Sequence, residues 1–397
     1  MSLQIIARFV QAACLIALLA SPLPSAEARS VAGAAPGRAP AAASTSKFGK
    51  KVKAGVTPNP ARKKRISYSR WTEPDYADSA AGDILAGEDL VVRQAALAAL
   101  GLFNGTVVVV DPNTGRILTI VNQKLAFQSG FQPCSTVKVF TALAALSEGL
   151  IVRTSLVRVS KRTSMNLTEA LALSNNPYFA ALGQRLGFER VRYYGRLFGL
   201  GETAGLGIAE EQPGTLPEVP PASGGVGMMT SFGEGITLTP LELASLLSAI
   251  ANGGTMYYLQ HPRSQAELDH FVPRVKRNLD IQPFIPEVKP GLLGATEFGT
   301  ARRASYSADE PIYGKTGTCT DRRSSGTHLG WFGSFNEIGG KKLVVVVLLT
   351  GGSAVNGPVA SGVAGAVYRN LSMNQFFARE STPSPAVLNA ARTCCVE

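Results

Sequence analysis

The sequence predicts an α+β fold in which one antiparallel sheet, built from both chain ends, is flanked by helices, with a mainly helical subdomain inserted between them. Three patterns predict it: strand-like segments before residue 122, mainly helical periodicity from 135 to about 252, and further strands beyond 310. With 397 residues and 45% hydrophobic content, the chain can form one large core or two ordinary ones. Wholesale disorder and collagen-like repeats are therefore excluded.

The first 28 residues have the pattern of a secretory signal peptide. Arg8 supplies the positive charge, Ala12–Ala20 the apolar segment, and Ala26-Glu27-Ala28 a small-residue cleavage site. This apolar segment is too short to span a bilayer, so we expect export to the periplasm or the extracellular cell-wall face. The alternative is an uncleaved segment that keeps the protein membrane-associated.

A basic segment follows at 29–70, rich in Ala, Pro, Gly, Ser and Lys. It holds eleven Lys and Arg and no Asp or Glu, which equals the net charge of +11 for the whole chain. We expect a disordered linker kept soluble by like charge. Attraction to an anionic wall polymer or a membrane surface is the alternative. Nucleic acid is not an expected partner, because no aromatic-interleaved patch accompanies the charge.

Four cysteines remain after the signal segment: Cys134, Cys319, Cys394 and Cys395. They allow three pairings, among which spacing alone cannot choose. No histidine joins them at metal-site spacing, so we expect neither a metal nor another cofactor.

The N-terminal part of the folded region combines a helix and a hairpin. Residues 71–103 predict a helical lead-in that ends in a helix at Glu88–Leu100. The strands of the hairpin are expected at Thr106–Val110 and Arg116–Val121, around a turn at 111–115 that contains Pro, Asn and Gly.

Helices dominate the middle and strands the end. Expected helices are Ser135–Ser147, Leu167–Leu173 and one from Thr239 to Asn252, the last two with capping boxes completed by Glu169 and Glu242. Strands at His328–Phe335 and Lys342–Thr350 flank a Gly339-Gly340 turn, and the second is apolar throughout, hence central. A helix at about Val359–Leu371 closes a domain spanning 104–375, and 376–397 forms a tail.

Three short motifs can carry chemistry. Ser135-Thr136-Val137-Lys138 places a hydroxyl and an amine three residues apart on one helix face, with Cβ atoms about 5–6 Å apart, so the amine can take the hydroxyl proton. Ser174-Asn175-Asn176 lies between two helices, where both side chains can face a cleft. Lys315-Thr316-Gly317-Thr318 offers a cation, a hydroxyl and a glycine that a ligand can approach.

Each motif alone is weak evidence for a catalytic site, because such short patterns recur by chance. Ser44–Lys47 repeats the first, and Ser164, Ser334 and Ser372 each begin another S-x-N.

The order S-x-x-K, S-x-N, K-T-G resembles the transpeptidase domain of penicillin-binding proteins. The likeness covers about residues 104–372 and implies the β-lactamase/transpeptidase-like form of the α+β fold. It extends to the following segments: Val107–Ile120, Phe131-Gln132-Pro133, Glu169–Phe179, Gly233–Gly254, Gly299-Thr300-Ala301 and Trp331-Phe332-Gly333.

The resemblance implies acyl transfer on D-Ala-D-Ala stem peptides of peptidoglycan, by a DD-transpeptidase or DD-carboxypeptidase that β-lactams acylate at Ser135. Lys138 would be the base, with its pKa lowered by burial and by Lys315. Ser174 would relay a proton to the leaving amine. Substrate binding would fall to Asn176, Lys315, Thr316, Gly317 and Thr318, with the N–H groups of Ser135 and Thr318 forming the oxyanion hole.

Two questions remain open at this stage. If those two N–H groups meet on one oxygen, Cys134 and Cys319 must lie close together, which suggests a disulfide; two small buried thiols are the alternative. Other function classes are a class D-like serine β-lactamase and a non-catalytic scaffold that binds β-lactams or peptidoglycan.

Overall fold

The computed structural model describes residues 72–321 and 326–378. The expected signal peptide, the basic segment, Cys394 and Cys395 lie outside the described residues. The strands in the described part of the chain are β1 (Gly105–Asp111), β2 (Arg116–Val121), β3 (Val157–Arg158), β4 (Ser164–Met165), β5 (Thr255–Tyr257), β6 (Val275–Asn278), β7 (Ile312–Thr320), β8 (His328–Ile338) and β9 (Lys341–Gly351).

The α-helices of the same ranges are α1 (Leu90–Leu100), α2 (Gln123–Phe127), α3 (Lys138–Ser147), α4 (Leu167–Ala172), α5 (Asn176–Leu186), α6 (Phe188–Leu197), α7 (Gly225–Phe232), α8 (Pro240–Asn252), α9 (Gln265–Asp269), α10 (Ile285–Glu297) and α11 (Gly357–Met373). Short 3-10 helices lie at Cys134–Val137, Gln282–Phe284 and Arg302–Ala304. Within these ranges, no α-helix combines the length and the hydropathy of a transmembrane span.

One antiparallel sheet, in the order β2-β1-β9-β8-β7, joins the early and late strands. The α+β prediction is confirmed, and so is the central place of the apolar strand, because β9 pairs with β1 on one side and β8 on the other. β7, which carries Lys315–Thr318, forms an edge of this sheet. Two smaller sheets, β3-β4 and β5-β6, were not predicted.

Helices cover both faces of the sheet. Because side chains alternate along a strand, Val344 and Val346 of β9 pack on one side with α3 and α8, whereas Val345 and Val347 pack on the other with α1 and α11. The 3-10 helix that carries Ser135 contacts β7, the strand with Lys315, at one edge of this sheet.

Several element boundaries differ from the prediction. α1 begins at Leu90 rather than Glu88, because the Asp89 carboxylate caps it by accepting from the N–H groups of Val91 and Val92. α11 begins at Gly357 rather than Val359, because Asn356 is its cap and a proline fits the first helical turn. The two predicted capping boxes, Asn166–Glu169 and Thr239–Glu242, are present.

The outer edge of β2 is covered by loop backbone and by side chains rather than by another strand of the sheet. The N–H of Ile117 donates to the Gln260 carbonyl oxygen, and the N–H of Asp89 donates to the Leu118 carbonyl oxygen, both at 2.8 Å. The buried Glu88 carboxylate accepts from the N–H of Ile120 at 3.0 Å, and Arg93 donates to the carbonyl oxygen of Ile120 at 2.6 Å. Capping of exposed edges in this way prevents pairing with another chain. The lead-in predicted at 71–103 therefore contacts the sheet directly.

Candidate active site

Ser135 lies in the 3-10 helix that leads directly into α3, so the predicted helix Ser135–Ser147 has a tighter first turn than expected. This places the Nζ atom of Lys138, the first residue of α3, 2.9 Å from the Ser135 Oγ atom. The side chain of Lys138 is completely buried, whereas Ser135 is partly exposed. The proximity expected from the S-x-x-K spacing is confirmed.

The second motif converges on the same lysine. Lys138 Nζ donates to Ser174 Oγ at 3.0 Å, to the Ser174 carbonyl oxygen at 2.7 Å and to Asn176 Oδ1 at 2.5 Å. Ser174 has a left-handed backbone, with φ of 56°, at the junction between α4 and α5. Such a conformation is uncommon for a residue other than glycine and turns the chain sharply enough to bring both side chains to one lysine.

Asn176 opens α5, whose cap is the neighbouring Asn175. The repeats of S-x-N lie elsewhere: Ser334 is buried in the sheet and bonds to Val345, and Ser372 lies near the end of α11 and bonds to Glu310. Ser44–Lys47 lies outside the described residues.

Burial controls the charge of both lysines. Burial, together with the positive charge of Lys315, lowers the pKa of Lys138 to about 6. Burial also lowers the pKa of Lys315 to about 7. Each shift has the sign expected for an ammonium removed from water. Near neutral pH, Lys138 is therefore able to act as a base.

The third motif lies on the edge strand β7, against the segment that carries Ser135. Lys315 Nζ donates to the Thr316 carbonyl oxygen at 3.0 Å, and the Thr316 hydroxyl oxygen lies 2.6 Å from that of Thr300. At Gly317 a Cβ atom would lie 2.9 Å from the carbonyl oxygen of Pro133. Glycine is therefore required for this close approach of two backbones.

A disulfide joins Cys134 to Cys319, with their Cα atoms 5.7 Å apart. This confirms the pairing suggested above and falls within the usual separation for a disulfide. It links the residue before Ser135 to the residue after Thr318. The segment that carries Ser135 and the K-T-G strand are thus covalently connected beside the candidate site.

The whole arrangement lies within the match to one family model. The model of the penicillin-binding protein transpeptidase domain matches residues 105–372, more than half of the chain. The chain belongs to this family. The transpeptidase domain includes all three motifs and both cysteines of the disulfide.

Curated relatives of this transpeptidase domain include stage V sporulation protein D of Bacillus subtilis, 27% identical over 66% of this chain and 44% of that protein. Another is the peptidoglycan D,D-transpeptidase PbpA of Mycobacterium tuberculosis, 26% identical over 67% of each chain. The peptidoglycan D,D-transpeptidase MrdA of Escherichia coli is 29% identical over 52% of this chain and 37% of that protein. The chain spans less than half the length of the first of these relatives.

Solved structures of the same fold support the architecture. The crystal structure of PBPA from Mycobacterium tuberculosis has a TM-score of 0.59 and 23% identity, over 72% of this chain and 81% of that one. Its imipenem acyl-enzyme complex gives a TM-score of 0.58 at 24% identity, over 70% and 78%. At these identities the likeness shows the fold of the transpeptidase domain.

Sequence reasoning assigned no role to Thr300, although its Gly-Thr-Ala segment contributed to the resemblance. Its hydrogen bond to Thr316 connects residues 16 positions apart in sequence, on different elements. The position of Gly299-Thr300-Ala301 in the order of the motifs is the sequence signal that points to Thr300. Its contact with Thr316 is visible only in the folded structure.

Proposed function

We propose that this transpeptidase domain is a serine acyltransferase that acts on the D-Ala-D-Ala stem peptides of peptidoglycan and that β-lactams acylate it at Ser135. The observation that carries the proposal is the 2.9 Å contact between Lys138 Nζ and Ser135 Oγ. A hydroxyl is a weak nucleophile until a base takes its proton. Lys138, with its pKa lowered to about 6, is such a base at neutral pH.

In the acylation step, Ser135 Oγ attacks the carbonyl carbon of the penultimate D-Ala while its proton passes to Lys138 Nζ. The bond from that carbon to the nitrogen of the terminal D-Ala then breaks. Ser174 donates its hydroxyl proton to the leaving amine and regains one from Lys138. The 3.0 Å contact between Lys138 Nζ and Ser174 Oγ supports this relay.

The acyl-enzyme is consumed by a second nucleophile. An amine of a neighbouring stem peptide attacks the ester carbon to give a cross-link, or water attacks to give a carboxylic acid. In both cases the attacking group gives a proton to Lys138, which passes it to the Ser135 oxygen as the ester bond breaks. The N–H groups of Ser135 and Thr318 are the proposed donors to the oxyanion. Loss of such a donor typically costs about 10²–10³ in rate.

Lys315 and the Thr316 hydroxyl are the proposed anchor for the terminal carboxylate, and Asn176 for the amide of the substrate. A carboxylate can accept from both an ammonium and a hydroxyl, and its charge is best balanced by a cation in a buried setting. Peptidoglycan lies outside the cytoplasm, in keeping with the export expected from residues 1–28.

Intact-protein mass spectrometry with benzylpenicillin tests the proposal. The expected result is a stable adduct on the wild type that is absent from Ser135→Ala and present on the control Ser160→Ala, which changes an exposed turn serine. A D-Ala-D-Ala peptide, incubated with and without an amine acceptor, then distinguishes transpeptidation from carboxypeptidation.

Two outcomes would redirect the assignment. An adduct that forms and clears within seconds while the drug is consumed would indicate a serine β-lactamase. Absence of any adduct on the folded wild type would indicate a binding scaffold.

A further inference from the structure

Thr300 connects the two walls of the active site. Its hydroxyl oxygen lies 2.6 Å from the Thr316 hydroxyl oxygen on β7. Its backbone N–H donates to the carbonyl oxygen of Ala172 at 3.1 Å, two residues before Ser174. One residue is thus bonded to the strand that carries K-T-G and to the end of the helix that leads into S-x-N.

The position of Thr300 is fixed by its neighbours. The N–H of Gly299 donates to the carbonyl oxygen of Gly294 at 2.8 Å. The N–H of Ala301 donates to the carbonyl oxygen of Ala295 at 2.7 Å. Both acceptors belong to α10, so the segment is fastened to a helix on either side of Thr300. The hydroxyl therefore approaches Thr316 from a rigid support rather than from a flexible loop.

We propose that Thr300 is a positioning residue that directs the Thr316 hydroxyl proton to the carboxylate of the substrate, and so favours ligands with a free carboxylate. The inference rests on the proposed function, in which Thr316 binds that carboxylate. Each hydroxyl has one proton, and a carboxylate only accepts. When Thr316 donates to the carboxylate, the 2.6 Å contact can persist only with Thr300 as the donor and the Thr316 oxygen as the acceptor.

This order of donors has a measurable consequence. A hydroxyl that accepts one hydrogen bond becomes a stronger donor in the next. Removal of the Thr300 hydroxyl therefore weakens the bond from Thr316 to a carboxylate and leaves the backbone bond to Ala172 in place. Ligands without a carboxylate lose nothing at this position.

The experiment compares Thr300→Ala with Thr300→Ser, which differ from each other by the hydroxyl alone. The second-order rate constant of acylation is measured with benzylpenicillin and with its methyl ester, which lacks the carboxylate. For Thr300→Ala we expect about a two- to fivefold loss with benzylpenicillin, because the bond from Thr316 to the carboxylate is weakened and not removed, and little change with the ester. Thr300→Ser should restore the benzylpenicillin rate.

Matched controls separate positioning from general damage. Thr296 on α10 donates to the carbonyl oxygens of Leu293 and Ile312, the latter on β7. Thr296→Ala therefore removes a buried hydroxyl four residues before Thr300, and Thr296→Ser retains it. Any loss in these variants should affect both ligands equally. If Thr300 acts through Thr316, the double variant Thr300→Ala/Thr316→Val should be no slower than Thr316→Val alone. Thermal unfolding of each variant establishes that it is folded.

Three results would overturn the role of Thr300: equal losses for both ligands, failure of serine to restore the rate, or additive losses in the double variant. A wild type that benzylpenicillin does not acylate would instead refute the proposed function, and this inference with it. A wild type that is acylated, with an unchanged preference in Thr300→Ala, would refute the role of Thr300 alone.

Discussion

Lys138 lies within the electrostatic influence of Lys315: burial, and after it the positive charge of Lys315, lowers the pKa of Lys138 to about 6. Lys315 is itself buried, and its own pKa falls to about 7. The proposed base and the proposed carboxylate anchor are therefore a coupled pair. In the proposed mechanism this pair functions only when Lys138 is neutral and Lys315 is charged.

The acylation rate should have a bell-shaped dependence on pH. As pH rises through about 6, Lys138 loses its proton and becomes a base, so the rate increases. As pH rises through about 7, Lys315 loses the charge that attracts the carboxylate, so the rate decreases. The second-order rate constant for benzylpenicillin, measured from about pH 5 to pH 9, reports both limbs for the free enzyme.

Because the two lysines interact, the two apparent pKa values belong to the pair rather than to either residue. The methyl ester of benzylpenicillin should lack the alkaline limb, since it offers no carboxylate to Lys315. A rate constant that stays flat across this range would contradict the assignment of Lys138 as the base.

Asn176→Asp should move the acid limb of that profile to higher pH. The Asn176 Oδ1 atom lies 2.5 Å from Lys138 Nζ, so a carboxylate there favours the ammonium form and raises the pKa of Lys138. At pH 6 the first unit of upward shift should lower the neutral fraction of Lys138, and with it the acylation rate, by about fivefold, and each further unit by about tenfold.

Asn175→Asp is the matched control, because it adds the same charge one residue away and retains a good helix cap on α5. It should shift the limb much less than Asn176→Asp. Equal shifts for the two variants would mean that the direct contact with Lys138 is not the cause.

Reduction of the Cys134–Cys319 disulfide should destabilise the domain. The bond closes a loop with a sequence separation of 185 residues, so its removal frees a large part of the unfolded chain. We expect a loss of about 2–5 kcal/mol in the free energy of unfolding. Urea unfolding with and without a reducing agent measures it.

Cys134→Ala/Cys319→Ala is the control for that experiment, because its stability should be low and insensitive to reductant. If the reducing agent also destabilised this variant, the loss of stability would come from the other cysteines. Acylation by benzylpenicillin should also slow on reduction of the wild type, since the bond fixes the residues next to Ser135 and Thr318. An unchanged urea midpoint in the wild type would contradict the prediction.

Gly357→Ala should separate α11 from the K-T-G strand. A Cβ atom at Gly357 would lie 2.8 Å from both the Gly317 carbonyl oxygen and the Thr316 Cβ atom. The N–H of Gly357 also donates to the Thr318 hydroxyl at 2.8 Å. We expect a loss of about 1–3 kcal/mol in the free energy of unfolding, as for other overpacked sites, and at least about a tenfold loss in acylation rate.

Gly362→Ala, five residues further along α11, provides the comparison. Its Cβ atom would meet only Arg303 atoms at 3.6 Å, which is an ordinary contact. This variant should keep its acylation rate and gain up to about 1 kcal/mol from alanine in a helix. If the two variants have the same acylation rate and the same stability, the close approach of Gly357 to β7 does not matter for function.

Local features of the fold could be predicted because they depend on neighbouring residues. The capping boxes at Asn166 and Thr239 and the hairpin of β1 and β2 follow from residues a few positions apart. The start of α1 was wrong by two residues, because the choice of Asp89 as cap depends on side-chain hydrogen bonds rather than on periodicity. The small sheets β3-β4 and β5-β6 were missed because strands of two to four residues leave almost no pattern.

The sequence by itself determined the α+β class, the order of the three motifs and the resemblance to penicillin-binding proteins, since spacing and order are properties of the chain. The tertiary structure decided which S-x-N segment meets Lys138, which two cysteines pair, and that Thr300 bonds to Thr316. It also decided the lowered pKa of Lys138, because burial is produced by elements far apart in sequence. The residue types at the site are local information, whereas their charge states and contacts arise from long-range packing.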